Sequence, residues 1–132
     1  MILDSNVLID LIDADKGEES LSSLASLREG HELFANEIIF AEVSSGFFER
    51  RDLSLFFDRL GVAIVRLTLD ECYRAGRAFA EYRRRGGSRE AILPDFLIGA
   101  QAEMRHWPIV TRDRKGFASY FPKLEIIDPM EH

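Results

Sequence analysis

Cysteine is nearly absent: Cys72 stands alone in 132 residues, so no internal disulfide and no thiolate metal framework can form. Proline numbers only four, and no Pro/Gly-rich linker, low-complexity tract or internal repeat divides the sequence. The expected organisation is therefore one domain over residues 1–132, long enough to bury a core without covalent staples. No apolar run approaches the roughly 20 residues that span a bilayer. Met1-Ile2-Leu3-Asp4 also lacks the basic start and long apolar stretch of a secretion signal. A cytoplasmic protein with no membrane partner is the expectation. Net positive charge is missing too. At −6, the chain is unsuited to coating nucleic acid non-specifically.

That sum hides an asymmetry. Residues 1–73 carry 6 basic against 15 acidic side chains, whereas residues 74–115 carry 10 against 5. An acidic site beside a basic rim would show this pattern. Strand and helix signals alternate along the whole length. Ile2 and Leu3 read as a short buried strand, with Ser5 and Asn6 opening a helix to about residue 11. Residues 18–27 follow as a helix with a Leu21, Leu24, Leu27 stripe. Residues 32–35 form a second strand, and Asn36 caps a helix over 37–48. A helix over 53–60 stops at Gly61, and 62–67 is a third strand. Thr68 and Glu71 make a capping box for a long helix to about residue 85. Pro94 opens a helix to about residue 106, followed by a strand over 109–111, a short helix over 117–121 and a strand over 125–127. Such alternation gives an α/β fold, a mostly parallel sheet covered by helices on both faces.

Four carboxylates occupy unusual surroundings. Asp4 ends the first strand, and Asp113 follows the strand that ends near Thr111. Glu42 lies in the most apolar part of its helix, and Asp95 begins the apolar run Phe96-Leu97-Ile98-Gly99-Ala100. Each has an ordinary local explanation: a helix cap, a dipole partner, a helix edge or a turn. Strand ends and the first turns of helices nevertheless face one edge of a parallel sheet, where α/β proteins bind ligands. Carboxylates brought together there repel by about 4 kcal/mol per pair at ~4 Å and an effective dielectric of ~20. A hard divalent cation relieves that repulsion, and all-oxygen donors favour Mg²⁺ or Mn²⁺ with several waters retained. Such an ion polarises a phosphoryl oxygen and activates water, so phosphodiester hydrolysis is the expected chemistry. Asn6 and Thr111 are placed to orient carboxylates or water, although a helix cap and an ordinary strand threonine explain them equally well. Arg112, Arg114 and Lys115 flank Asp113 as candidate phosphate contacts.

These residues resemble the PIN-domain ribonucleases, in particular the VapC toxins of bacterial toxin–antitoxin pairs. The matching pieces are Leu3-Asp4-Ser5-Asn6-Val7-Leu8-Ile9, Ala41-Glu42-Val43, residues 95–102, Thr111-Arg112-Asp113 with Phe117, and the ending Tyr120-Phe121-Pro122 with Leu124-Glu125-Ile126-Ile127. Together they cover essentially the whole chain in order. The resemblance implies a three-layer α/β/α sandwich and a Mg²⁺-dependent endoribonuclease with Asp4, Glu42, Asp95 and Asp113 in its active site. Metal contact carries over first to Asp4 and Asp95. It further implies toxin activity on an RNA substrate, neutralisation by a cognate VapB-type antitoxin, and a homodimer. In one departure, Leu93-Pro94 precede Asp95 where some PIN relatives carry another acid, leaving one metal or two open.

Other readings begin from the same strand and acid. A phosphatase similar to the haloacid dehalogenases wants a second Asp two residues after the first, where this chain has Asn6. A phosphorelay receiver needs an acceptor Asp ending a central strand, but the acid after strand 62–67, Asp70, already belongs to a capping box. An inactive PIN fold acting only as an interaction module is the third. Arg83-Arg84-Arg85-Gly86-Gly87-Ser88-Arg89 offers an RNA-binding loop, or simply cations at a helix C-terminus with a glycine stop. His31, His106 and His132 have no metal-ligand spacing. Trp107 and most of the ten phenylalanines read as core, and Phe40, Phe47 and Phe48 would share one helix against the core or a dimer face.

Overall fold

The computed structural model describes residues 1–87 and 92–131. Five short parallel strands form the sheet: β1 (Ile2–Leu3), β2 (Leu33–Ala35), β3 (Val62–Ile64), β4 (Ile109–Val110) and β5 (Ile126–Ile127). Their order is β3-β2-β1-β4-β5, with Ile2 in register with Phe34 on one side and Ile109 on the other. β1 and β4 are wholly apolar and buried, as parallel strands covered on both faces must be.

Helices fill the crossovers. α1 (Ser5–Ile12), α2 (Gly17–Leu27), α3 (Glu37–Val43) and α4 (Arg50–Leu60) precede the third strand, while α5 (Leu69–Arg84), α6 (Leu93–Met104) and α7 (Arg114–Ala118) come after it. The chain moves outward from β1 through β2 to β3, then jumps back to β4 and on to β5. With right-handed crossovers, that reversal sends the first helices to one face and the later ones to the other. The result is the expected α/β/α sandwich, and its strand order reverses between β1 and β4.

Two packing features hold the later helices to the sheet. Phe79, Tyr82, Phe96, Tyr120 and Phe121 form a ring cluster with centroids 5.2–6.1 Å apart. Gly99 lets α6 approach it, since a Cβ there would run into the Phe121 ring. Trp107 stacks on Phe34 at 4.2 Å, so it is a packing residue as expected. Fully burying a side chain of the size of Phe96 or Phe121 contributes about 2 kcal/mol.

Several elements differ from the sequence expectation, each for a local reason. The helix expected over 37–48 stops at Val43 and passes into a 3-10 turn, Ser44–Gly46. There the Ser44 hydroxyl donates to the Ala41 carbonyl, competing with the helical ladder, and a Cβ on Gly46 would meet the Ile12 side chain. Phe40, Phe47 and Phe48 therefore do not share a helix, and Phe48 is fully exposed. α4 begins at Arg50 rather than at residue 53, because its first turn is polar and periodicity marks only the buried stripe. β3 ends at Ile64. The Val65 N–H still donates to the Ala35 carbonyl, but the Leu67 N–H goes to the Glu37 carboxylate and leaves the ladder. The last short helix starts at Arg114, before the expected 117, and Leu21 lies in solvent rather than on the buried stripe of Leu24 and Leu27. Gly61 closes α4 at φ 71°, in the left-handed region, as its C-cap reading requires. Among the described residues, no helix is long and apolar enough to cross a membrane.

Candidate active site

β1 and β4 end side by side at the reversal of strand order, and the polar residues that follow them are tied together. The Asp4 N–H donates to the Val110 carbonyl, which fixes the register of the two strand ends. Asp4 then caps α1: its Oδ1 accepts from the Ser5 N–H at 2.8 Å. Its Oδ2 accepts from the Thr111 hydroxyl at 2.7 Å and from Asn6 Nδ2 at 3.2 Å. Thr111 Oγ1 in turn accepts from Asn6 Nδ2 at 3.2 Å and from the Asp113 N–H at 3.0 Å. Asn6 Oδ1 accepts from the Arg112 N–H. Asn6 and Thr111 thus both hydrogen-bond the Asp4 carboxylate, while Asp113 caps α7 through the Gly116 N–H.

The other two acids come from α3 and α6. Asp95 lies in the first turn of α6, as the sheet-edge argument expects, with Pro94 pre-organising its start. Glu42 lies in the last turn of α3 rather than a first turn, that helix being only seven residues long. Charge links them in part: Asp4 feels Asp95 and Glu42, Glu42 feels Asp95, and Asp95 feels Asp113. Burial drives the proton affinity of Asp4 to a pKa of about 6, against the pull of Thr111 and Ser5, and the charges of Asp95 and Glu42 add to it. Glu42 is raised by burial first, then by Asp95, with the Ser5 hydroxyl opposing. Asp95 is likewise raised by burial and by Asp113, with the Ile92 backbone opposing. Three acids that all bind protons too well form a site in want of positive charge.

Whether a metal suits the site turns on one atom. Glu42 Oε1 is buried with no hydrogen-bond partner among the described residues. A buried acceptor left this way carries a desolvation penalty that a cation removes. The donor set is all carboxylate and hydroxyl oxygen, which fits a hard ion of the Mg²⁺ type. Among the described residues, no three acidic, imidazole or thiol side chains stand in a ready-made coordination group. Direct contact by one or two carboxylates, with water completing the shell, is the arrangement these residues suit.

The cations are arranged differently from the expectation. Arg112 is not a free phosphate contact: its Nε lies 2.7 Å from Asp10 Oδ2, and its Nη2 lies 3.3 Å from Oδ1. Arg114 reaches Glu131 at 3.5 Å, and Lys115 is exposed beside it. Arg83 lies over the Phe79 ring and Arg85 pairs with Glu81, which favours the helix-end reading of that basic run. Ser88 and Arg89, at the end of the proposed loop, lie outside the described residues, as does His132. Asp10 and Ser5 are site-forming residues that sequence reasoning missed. Asp10 carried the same signal as Glu42, an acid inside an apolar helical run, but its buried carboxylate is answered by Arg112 within the fold.

Comparison with known proteins agrees with this geometry. A sequence search of curated proteins returns no match. Among solved structures, the chain is similar to a protein in VapBC-1 from nontypeable Haemophilus influenzae, with a TM-score of 0.77, 18% identity and coverage of 98% of this chain and 97% of that one. It is similar to one in VapBC2 from Rickettsia felis bound to a promoter DNA fragment, with a TM-score of 0.74, 18% identity and 95% coverage of each chain. A toxin–antitoxin complex from Klebsiella pneumoniae follows at a TM-score of 0.70 and 24% identity, covering 97% of this chain and 96% of that one. At such identities the likeness is one of fold. The profile of the PIN domain matches residues 1–120, so the chain belongs to the PIN-domain family.

Proposed function

We propose that this protein is a Mg²⁺-dependent endoribonuclease and the toxin of a VapBC-type toxin–antitoxin module. The observation that supports the reading is the chain of charge effects linking Asp4 with Glu42 and Asp95, and Asp95 with Asp113, three of the acids having raised proton affinity and Glu42 an orphaned oxygen. Asp4 and Asp95 are the residues to hold the ion, with Glu42 and Asp113 completing the acidic wall. Bound there, Mg²⁺ supplies charge stabilisation for a phosphoryl group and lowers the pKa of water. Asn6 and Thr111 fix the Asp4 carboxylate in one rotamer, so no reorganisation is needed when substrate arrives. Arg114 and Lys115, with the outer edge of Arg112, are the candidate contacts to the RNA backbone.

The cognate partner is a VapB-type antitoxin, and the active form is a homodimer. Support for the antitoxin comes from the similar structures, which are VapBC and other toxin–antitoxin assemblies. Membership of the PIN family sets aside the phosphatase and receiver readings. An inactive PIN module differs from the nuclease by one assay. Purified protein incubated with cellular RNA and Mg²⁺ or Mn²⁺ is expected to give discrete fragments, which EDTA abolishes. Asp4→Asn and Asp95→Asn should each lower the rate by at least about 100-fold with the fold intact. RNA left uncut by the wild type, or cut equally by both variants, would remove the nuclease reading.

A further inference from the structure

Glu42 and Asp95 reach the site on two different helices, and a buried amide pair ties those helices together. Asn36 caps α3, with its Oδ1 accepting from the Ile39 N–H at 2.9 Å. Its Nδ2 donates to Gln101 Oε1 on α6, also at 2.9 Å. Gln101 Nε2 donates to the Val65 carbonyl just past β3, at 3.0 Å. Both side chains have no exposure to solvent. Each amide is oriented by a backbone group at its far end, so the direction of the link is fixed. The spacing is symmetrical: Glu42 lies six residues after Asn36, and Asp95 lies six residues before Gln101. At the helical rise, both acids stand about 9 Å along their axes from the amide pair. With contact at Asn36–Gln101 and the charge of Asp95 acting on Glu42, α3 and α6 run antiparallel past each other. The amide pair is therefore a fixed polar link between the two helices that carry these carboxylates.

We propose that Asn36 and Gln101 are positioning residues for the acidic site, setting the Glu42–Asp95 separation and through it the affinity for the divalent ion. The proposal rests on the metal-site reading above. A buried polar link between two helices costs desolvation that apolar packing would avoid, and fixing one register is what such a link does best. Two variants test it. Gln101→Leu removes both ends of the link, whereas Asn36→Ser keeps an oxygen to cap α3 and gives up only the donation to Gln101. Mn²⁺ binding is measured by titration calorimetry, well below the melting temperature of each protein and with folding checked by circular dichroism. Mn²⁺ binding about tenfold weaker than wild type is expected for both, as when groups supporting a metal's ligands are removed. A merely structural role lowers the metal-free melting temperature and leaves the dissociation constant unchanged, and that result in a folded variant would overturn the proposal. Should Gln101→Leu fail to fold, Asn36→Ser decides alone. A wild-type protein that binds no Mn²⁺ removes the metal site itself, a separate failure that takes this proposal with it.

Discussion

Thr111 shows how one hydroxyl holds a site together. Its neighbours Ile109 and Val110 are apolar and buried, and a valine would continue the strand with the same shape. The hydroxyl instead donates to Asp4 and accepts from Asn6 and the Asp113 N–H. Thr111→Val should therefore destabilise the protein by about 2 kcal/mol in urea melts, by leaving the buried Asp4 carboxylate short of a donor and its neighbours unmet. It should also raise the proton affinity of Asp4 further, since the Thr111 hydrogen bond is what most opposes burial there. Asp4 gives a second outcome, with a sign that follows from its raised pKa. The folded state holds the proton up to about 6 and the unfolded chain only to 3.8, so this group costs stability as pH rises through that window. The cost, fully present above it, is at most about 3 kcal/mol. Asp4→Asn should thus stabilise the metal-free protein at pH 7.5, less the hydrogen bonds an amide cannot accept. That advantage should shrink as pH falls from 6 to 4. Melts of both proteins across that range check it, and a pH-independent difference would show Asp4 to be an ordinary cap.

At the scale of elements, what is local in the chain is legible and what is remote is not. The capping box at Thr68 and Glu71 could be read from four residues, and both of its hydrogen bonds form. Its other half could not. Glu71 is buried and bonds Arg105 at 2.6 Å, 34 residues away, on the far end of α6. Burial alone would raise this carboxyl, yet the Arg105 hydrogen bonds and the Thr68 N–H outweigh it and leave its pKa below the ordinary value. The same guanidinium lies over the Trp107 ring. Arg105→Met keeps much of that packing but strands the carboxylate, so a loss of about 2 kcal/mol is expected at pH 7, recovered in part near pH 4 where Glu71 takes up a proton. Equal destabilisation at both pH values would place the effect in packing instead. The misplaced ends of α3, β3 and α7 teach the same lesson. Ser44 and Glu37 each divert a backbone group that periodicity assigns to a helix or strand, whereas Asp113 caps α7 and starts it ahead of its apolar residues.

For the whole molecule, strand order converts scattered acids into a site. Sequence showed that Asp4 and Asp113 follow strands and that Glu42 and Asp95 sit in apolar helical runs. It did not show that β1 and β4 are neighbours while β2 and β3 lie to the other side, and only that order brings the four acids within reach. The same signal selected no partner for Asp10, because Arg112 lies 102 residues away. Convergence of like charge has a consequence that a set of separate caps would not share. A cation bound to the folded chain alone should stabilise it by RT ln 11, about 1.4 kcal/mol, at ten times its dissociation constant. For a domain of this size that is a rise in Tm of roughly 5 °C. The gain should fade as pH falls below about 6, where a proton competes with the cation for Asp4, and should be lost in Asp4→Asn and Asp95→Asn. A melt indifferent to Mg²⁺ at concentrations that support cleavage would mean that the four acids do not act as one binding site.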